Sequence, residues 1–205
     1  MMKNGSKTKS KPAKHEHNHD HDHGHGCCDH DHGCGSKLVC EMHLRQYKLD
    51  DFRGLTAVWK ASGIELDETD SASAIARNLD RNKNIFRIFV AEARIVDPAS
   101  NELVQKPRIA GGVILTYDGR RAYVYHLAVH PEFRGVGLGK ALLGTCESQA
   151  KMWGTKHLRL SVKTDEASAP AHHLYAKAGW TATRGSWIYA KTLGAGKKAK
   201  AACTC

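Results

Sequence analysis

Apolar and polar positions follow two periods along this chain, and the places where one gives way to the other delimit the elements. A first strand begins near Leu38-Val39-Cys40 or at Leu44. LRQYKLDDFRGLTAVWKASG then reads as that strand's end, a helix N-terminus at Asp50 and Asp51, and a helix with Leu55, Val58 and Trp59 on one face, stopped by Gly63. After the acidic loop IELDETD, a second helix opens at Ser71 or Ser73 and runs through Ile75 and Leu79. IFRIFVAEARIV alternates aromatic and aliphatic residues as a strand does. RIAGGVILTYDGRRAYVYHLAVH reads as a hairpin around Asp118-Gly119, a two-residue turn signal. A helix over 137–153, a strand over 157–162 and a helix APAHHLYAKAG ended by Gly179 follow. WTATRGSWIYAKTL closes as a hairpin around Arg184-Gly185. The order β-α-α-β-β-β-α-β-α-β-β predicts an α+β fold with a central, mostly antiparallel sheet.

The pattern fades at both ends. Residues 1–42 hold almost nothing large and apolar, and 194–205 form a short basic stretch, so both are expected to be disordered tails around a domain at 43–193.

One junction carries a chemical signal. The β-rich AYVYHLAVH stops at Pro131, a loop with Arg134 and Gly135-Val136-Gly137-Leu138-Gly139 follows, and Lys140 opens a helical run. Strand, glycine loop and helix start aim free backbone N–H groups and the positive end of a helix dipole at one point, which suits a pyrophosphate. Walker A spacing fails, because it needs glycine at Arg134 and a hydroxyl at Ala141. The dinucleotide fingerprint fails too, because its third glycine comes one residue early. Arg-x-x-Gly-x-Gly, formed by Arg134, Gly137 and Gly139, does fit.

That pattern behind LAVHPEFRG resembles the acyl-CoA-binding motif of the GNAT superfamily of N-acetyltransferases. The resemblance covers about Leu44 to Leu193; YDGRR, YHLAVHPEFRGVGLGKALL and the closing KTL look most like its YpeA-like subgroup. It implies a GNAT-like mixed sheet flanked by helices, whose fourth and fifth strands splay around the pantetheine arm of acetyl-CoA. Backbone groups at Leu127 through Ala128 to Val129 would hold pantetheine and the thioester carbonyl. The amides of Gly135, Val136, Gly137, Leu138 and Gly139, with Arg134 and Lys140, would hold the pyrophosphate. In HHLYAKAGW, Ala171, Leu174, Tyr175, Gly179 and Trp180 match the family's helix, with Tyr175 at the position near the cofactor sulfur. Ser168 stands where the family has asparagine and can still hydrogen-bond the cofactor.

The implied reaction is attack of a deprotonated amine on the thioester, with a proton delivered to the leaving thiolate. Tyr175 is the candidate acid. Strand alternation puts Tyr123, Tyr125 and Leu127 on one face and His126 behind it. With no carboxylate on this strand, Tyr123 or Tyr125 is expected to relay a proton through water. For the acceptor, the resemblance points to the first two helices and their loop, here carrying Glu65, Asp67, Glu68 and Asp70. Such a cluster either attracts a cationic amine or is simply a solvated loop.

Composition sharpens this picture in three ways. A formal charge of +10 over 205 residues suits an anionic partner; without a nucleic-acid fold signature, a phosphorylated cofactor takes that weight. An apolar share of 41% suffices for a core, but no run reaches the roughly eighteen residues of a membrane span, and MMKNGSKTKSKPAK lacks an apolar signal core. Seven cysteines, mostly near the ends, do not form a disulfide framework, so a reducing cytoplasm is expected. The expected assembly is a monomer or homodimer. HEHNHDHDHGHGCCDHDHGCG sets His15, His17, His19, His21, His23, His25, Cys27, Cys28, His30, His32 and Cys34 in close alternation. Imidazole and thiolate favour Zn, Ni, Cu or Co, and so many interchangeable ligands predict a fluxional multi-site tail. An enzyme with a metal-binding tail is the leading reading; a metal-buffering or metal-sensing protein on a GNAT scaffold is the alternative.

Overall fold

The computed structural model describes residues 38–163 and 168–183. The His/Cys-rich segment, the hairpin expected around Arg184-Gly185 and the basic C-terminal stretch lie outside the described residues.

The elements are β1 (Val39–Gln46), α1 (Phe52–Ala61), α2 (Ala72–Arg81), β2 (Phe86–Val96), β3 (Arg108–Tyr117), β4 (Ala122–Val129), α3 (Leu138–Met152), β5 (Leu158–Leu160) and α4 (Ala169–Lys177). Their order along the chain is the one the periodicity predicts. Ser71 rather than Ser73 starts α2, its hydroxyl accepting from the Ala74 amide. The β3–β4 hairpin closes around Gly119-Arg120, one residue beyond the expected Asp118-Gly119. Asp118 N donates to Arg121 O at 3.1 Å, and Asp118 Oδ1 accepts from the Arg120 and Arg121 amides at 2.7 and 2.6 Å.

The sheet order is β1-β2-β3-β4-β5, with every neighbouring pair antiparallel except β4 and β5. β4 and β5 pair only from Ala122–Leu158 to Val124–Leu160. Beyond that point Tyr125–Val129 runs on without a strand on that side, among the described residues.

Each sheet face has its own core. On one, Leu55, Val58 and Trp59 of α1 and Ile75 of α2 pack against Ile88, Val90, Ile114 and Ala128. On the other, Leu138, Leu142, Leu143 and Cys146 of α3 pack against Val113, Leu115 and Val124. Glycine permits the close seat of α1 on β3: a Cβ on Gly112 would lie 2.3 Å from Leu55 Cδ1, and one on Gly54 2.8 Å from Ile109 Cγ1. Arg45 of β1 donates to Asp51 at 2.7 and 2.8 Å and to Glu92 at 2.7 Å, tying the start of α1 to the sheet.

β4 departs from simple alternation. Gly112 pairs with Ala128 and Ile114 with Tyr125, so His126 and Leu127 both stand opposite Val113. This is a β-bulge, and His126 absorbs it with φ +49°. One extra residue reverses the faces for everything after it. Tyr123 and Tyr125, with stacked rings 6.3 Å apart, share a face with His126 and Ala128, whereas Leu127 and Val129 turn to the α3 side. The expected grouping of Tyr123, Tyr125 and Leu127 against a buried His126 is therefore corrected: His126 faces the α1–α2 side and Leu127 the other.

Candidate functional site

The glycine loop sits where β4, having left β5, hands over to α3. Gly135 and Gly137 both take φ +85°, a conformation that disfavours side chains, and Gly137 is the residue before α3. Among the described residues, the amides from Gly135 to Lys140 find no acceptor, and the first backbone bond belongs to Ala141, donating to Gly137 O. A row of unpaired N–H groups at a helix N-terminus, with the exposed Lys140 beside it, fits a pyrophosphate. Gly139 has a different reason: a Cβ there would meet Leu174 of α4 at 3.0 Å, so it sets the approach of the two helices. Arg134 turns back, its Nε donating to Val129 O at 3.1 Å, and Ser62 Oγ donates to the same carbonyl at 3.2 Å.

Tyr175 packs against the core that also receives Leu127 and Val129, with its ring 6.0 Å from Trp180. Burial pushes its phenol above the ordinary tyrosine value, so it stays protonated at neutral pH. Ser168 lies at the N-cap of α4.

On the opposite face, α2 with the loop before it, β3 and the bulge of β4 line a cavity of about 580 Å³. Glu65, Asp67, Asp70, Tyr125 and His126 line it, with Thr116 and Asn78. Glu68 is exposed and is not among the lining residues, and Tyr123 stands beside the cavity through its contact with Tyr125. The loop is built by its own side chains. Asp67 Oδ1 accepts from Thr69 N at 2.7 Å and Thr69 Oγ1 at 2.6 Å, and Asp67 N donates to Asp70 Oδ2 at 3.1 Å. The Thr69 hydrogen bonds hold the Asp67 carboxyl below its usual range.

Asp70 is 7% exposed, and its other oxygen lies 2.8 Å from His126 Nε2. Trp59 clamps the same histidine: its Nε1 donates to His126 O at 3.0 Å, and the two rings meet edge-on with centroids 5.0 Å apart.

Residues 66–180 match the profile described as the acetyltransferase (GNAT) family. The chain belongs to that family. An acetyltransferase of Pectobacterium atrosepticum is 28% identical over 124 residues, covering 60% of this chain and 78% of its own. Among solved structures, a predicted acetyltransferase from Clostridium acetobutylicum with acetyl-CoA superposes at TM-score 0.53, 18% identical, covering 74% of this chain and 96% of that one. An aminoglycoside acetyltransferase from an uncultured soil metagenomic sample, in complex with sisomicin, superposes at 0.55, 19% identical, covering 75% and 97%. This GNAT protein is accordingly an acetyl-CoA-dependent N-acetyltransferase.

Sequence reasoning passed over Trp59 as core and set His126 behind the sheet. A bulge leaves little trace in composition. The one available signal is that histidine, with asparagine and aspartate, tolerates a positive φ better than other side chains do.

Proposed function

We propose that this GNAT enzyme, of the YpeA-like subgroup, transfers acetyl from acetyl-CoA to a primary amine of a small molecule or peptide, by direct attack in a ternary complex. The observation that carries this reading is the two-sided arrangement around β4: an amide-lined helix N-terminus at one end and an acid-lined cavity on the α1–α2 face. The Gly135–Lys140 amides would take the pyrophosphate, the backbone of Leu127–Val129 the pantetheine arm, and Ser168 a further cofactor contact. Glu65, Asp67 and Asp70 would draw a cationic amine, and a protonated Tyr175 would hand its proton to the departing thiolate. Glu68, exposed on the same loop, would add to the field without touching the acceptor. The proposed setting is the cytoplasm, as monomer or homodimer, with the N-terminal His/Cys segment holding Zn, Ni, Cu or Co.

A thermal-shift titration of the full chain with acetyl-CoA tests the cofactor side. At a hundredfold excess over Kd, a ligand stabilises the fold by about 2.7 kcal/mol. The Arg134→Ala, Gly137→Glu variant should lose that shift. A panel of amines, read by release of the CoA thiol, tests the acceptor side. No shift in the parent chain would favour the scaffold reading, and equilibrium dialysis against Zn²⁺ or Ni²⁺, with and without residues 1–36, would then test the tail.

A further inference from the structure

The acid-lined cavity poses a chemical problem that acetyl-CoA binding does not solve. Carboxylates that attract an ammonium also hold the proton on it, and a protonated amine has no lone pair with which to attack. The cavity needs a proton acceptor of its own. We propose that His126 is that general base, with Asp70 as the residue that positions it; this rests on the acetyl-transfer reading of the same cavity.

Geometry separates His126 from every other titratable group there. It alone stands in the bulge, immediately before Leu127, in a backbone conformation that residues with side chains adopt sparingly. The strain is maintained from three directions: the Asp70 carboxylate on Nε2, the Trp59 indole N–H on its carbonyl, and the Trp59 ring against its own. Asp70 is fixed in turn by the Asp67 amide on its second oxygen. An ionised carboxylate only accepts hydrogen bonds, so Nε2 carries the proton and Nδ1 is left with its lone pair. Among the described residues nothing donates to Nδ1, and the side chain is 25% exposed into the cavity.

The groups around His126 are Asp70, Asp67 and Glu65 from the loop before α2, Tyr125 from β4, and the uncharged Trp59 from α1. Lys163 offsets Glu65, its Nζ lying 3.7 Å from Glu65 Oε1. No cation stands against the imidazole among these groups.

The proton balance closes. Nδ1 takes one proton from the ammonium, and the freed lone pair forms the C–N bond to the thioester carbonyl carbon. The C–S bond then breaks, and the adduct's second N–H proton reaches the thiolate through Tyr175. The imidazolium releases its proton to solvent. The products are the amide, CoA thiol and one proton.

The test uses spermidine as acceptor and compares the full chain with His126→Gly, His126→Gln and Asp70→Asn. Glycine suits a positive φ, so His126→Gly keeps the fold and leaves space for free imidazole. Both His126 variants should lose about 10²–10⁴-fold in kcat/KM while keeping the acetyl-CoA thermal shift. The parent rate should rise with pH as the imidazole deprotonates; that limb should vanish in His126→Gln, and added imidazole should partly restore His126→Gly. Asp70→Asn should keep the limb but move it. Rates within roughly threefold of the parent, or a loss with neither rescue nor a change of limb, would overturn the proposal. A ¹⁵N spectrum of the neutral His126 ring, recorded at alkaline pH, needs no acceptor. A bare Nδ1 supports the proposal, and a proton there overturns it. Failure of the acetyl-CoA shift in the parent would instead strike the functional reading on which this rests.

Discussion

The glycine loop and the acid-lined cavity lie on the same strand and are built in opposite ways. The loop that would take the pyrophosphate is one contiguous stretch, Arg134 to Lys140, and it presents backbone amides. The cavity is assembled from distant pieces: 56 residues separate Asp70 from His126, and 67 separate Trp59 from His126. Backbone recognition leaves a trace in sequence because only glycine accepts φ +85° twice in three residues. A side-chain constellation held by tertiary contacts leaves no such trace. The two regions should therefore fail differently when changed.

Apart from the His126 variants, the largest effect is expected at the loop. Gly135→Val forces a β-branched side chain into φ +85°, where nothing within 4 Å obstructs the Cβ itself. The loop can relax only by turning its amides, so acetyl-CoA affinity should fall about 100-fold, and the ligand stabilisation of about 2.7 kcal/mol should disappear. Calorimetry with acetyl-CoA measures this directly. Unchanged affinity would mean that the amides are not the binding groups. Next in size is charge reversal at the cavity. Asp67→Lys with Glu65→Lys should raise KM for a cationic amine about 10-fold or more, less so at high salt, with acetyl-CoA affinity unchanged. An equal loss for neutral and cationic amines would show that the carboxylates do not select charge.

This contrast also explains what the sequence revealed. The 3.6- and 2-residue periods located α1 through α4 and β1 through β5, because each turns apolar positions toward one or both of the two cores. Gly135 to Gly139 could be picked out from spacing alone as a candidate phosphate loop. Alternation along β4 was followed correctly until Tyr125, then failed at one residue. The bulge at His126–Leu127 inverts every later side chain, and its stabilising contacts, Trp59 N–H on the His126 carbonyl and Asp70 on the ring, come from elements whose packing no local pattern encodes. Glu65, Asp67 and Asp70 could be picked out as a cluster. That Asp70 is buried and caps its own loop while Glu68 points away requires the fold.

A smaller effect is expected at Tyr175. A CoA thiolate departs readily without full protonation, so Tyr175→Phe should lower kcat by about 10-fold or less, below the usual range for general acids. Burial holds the phenol above its ordinary value of about 10, so it is protonated below that pH and loses its proton only above it. Any alkaline fall in kcat that belongs to Tyr175 therefore lies beyond pH ~10 and is absent in the phenylalanine variant. A fall beginning near neutrality would have another source.

The smallest effect should come from Trp59→Phe, which distinguishes a bulge that is held from one that merely forms. Phenylalanine keeps most of the fully buried ring volume but removes the N–H that donates to His126 O. Leaving that carbonyl unpaired in a partly buried setting should cost about 1–3 kcal/mol of stability. If the bulge is set mainly by Asp70 and the β3 register, turnover should follow stability alone and change only slightly. If the indole sets where the imidazole stands, kcat should drop several-fold at a temperature where the variant is fully folded, with acetyl-CoA affinity intact. Hydrogen exchange at the β4 amides locates the loss: faster exchange confined to 126–128 assigns the indole to the bulge, whereas faster exchange throughout α1 makes Trp59 a core residue with an incidental hydrogen bond.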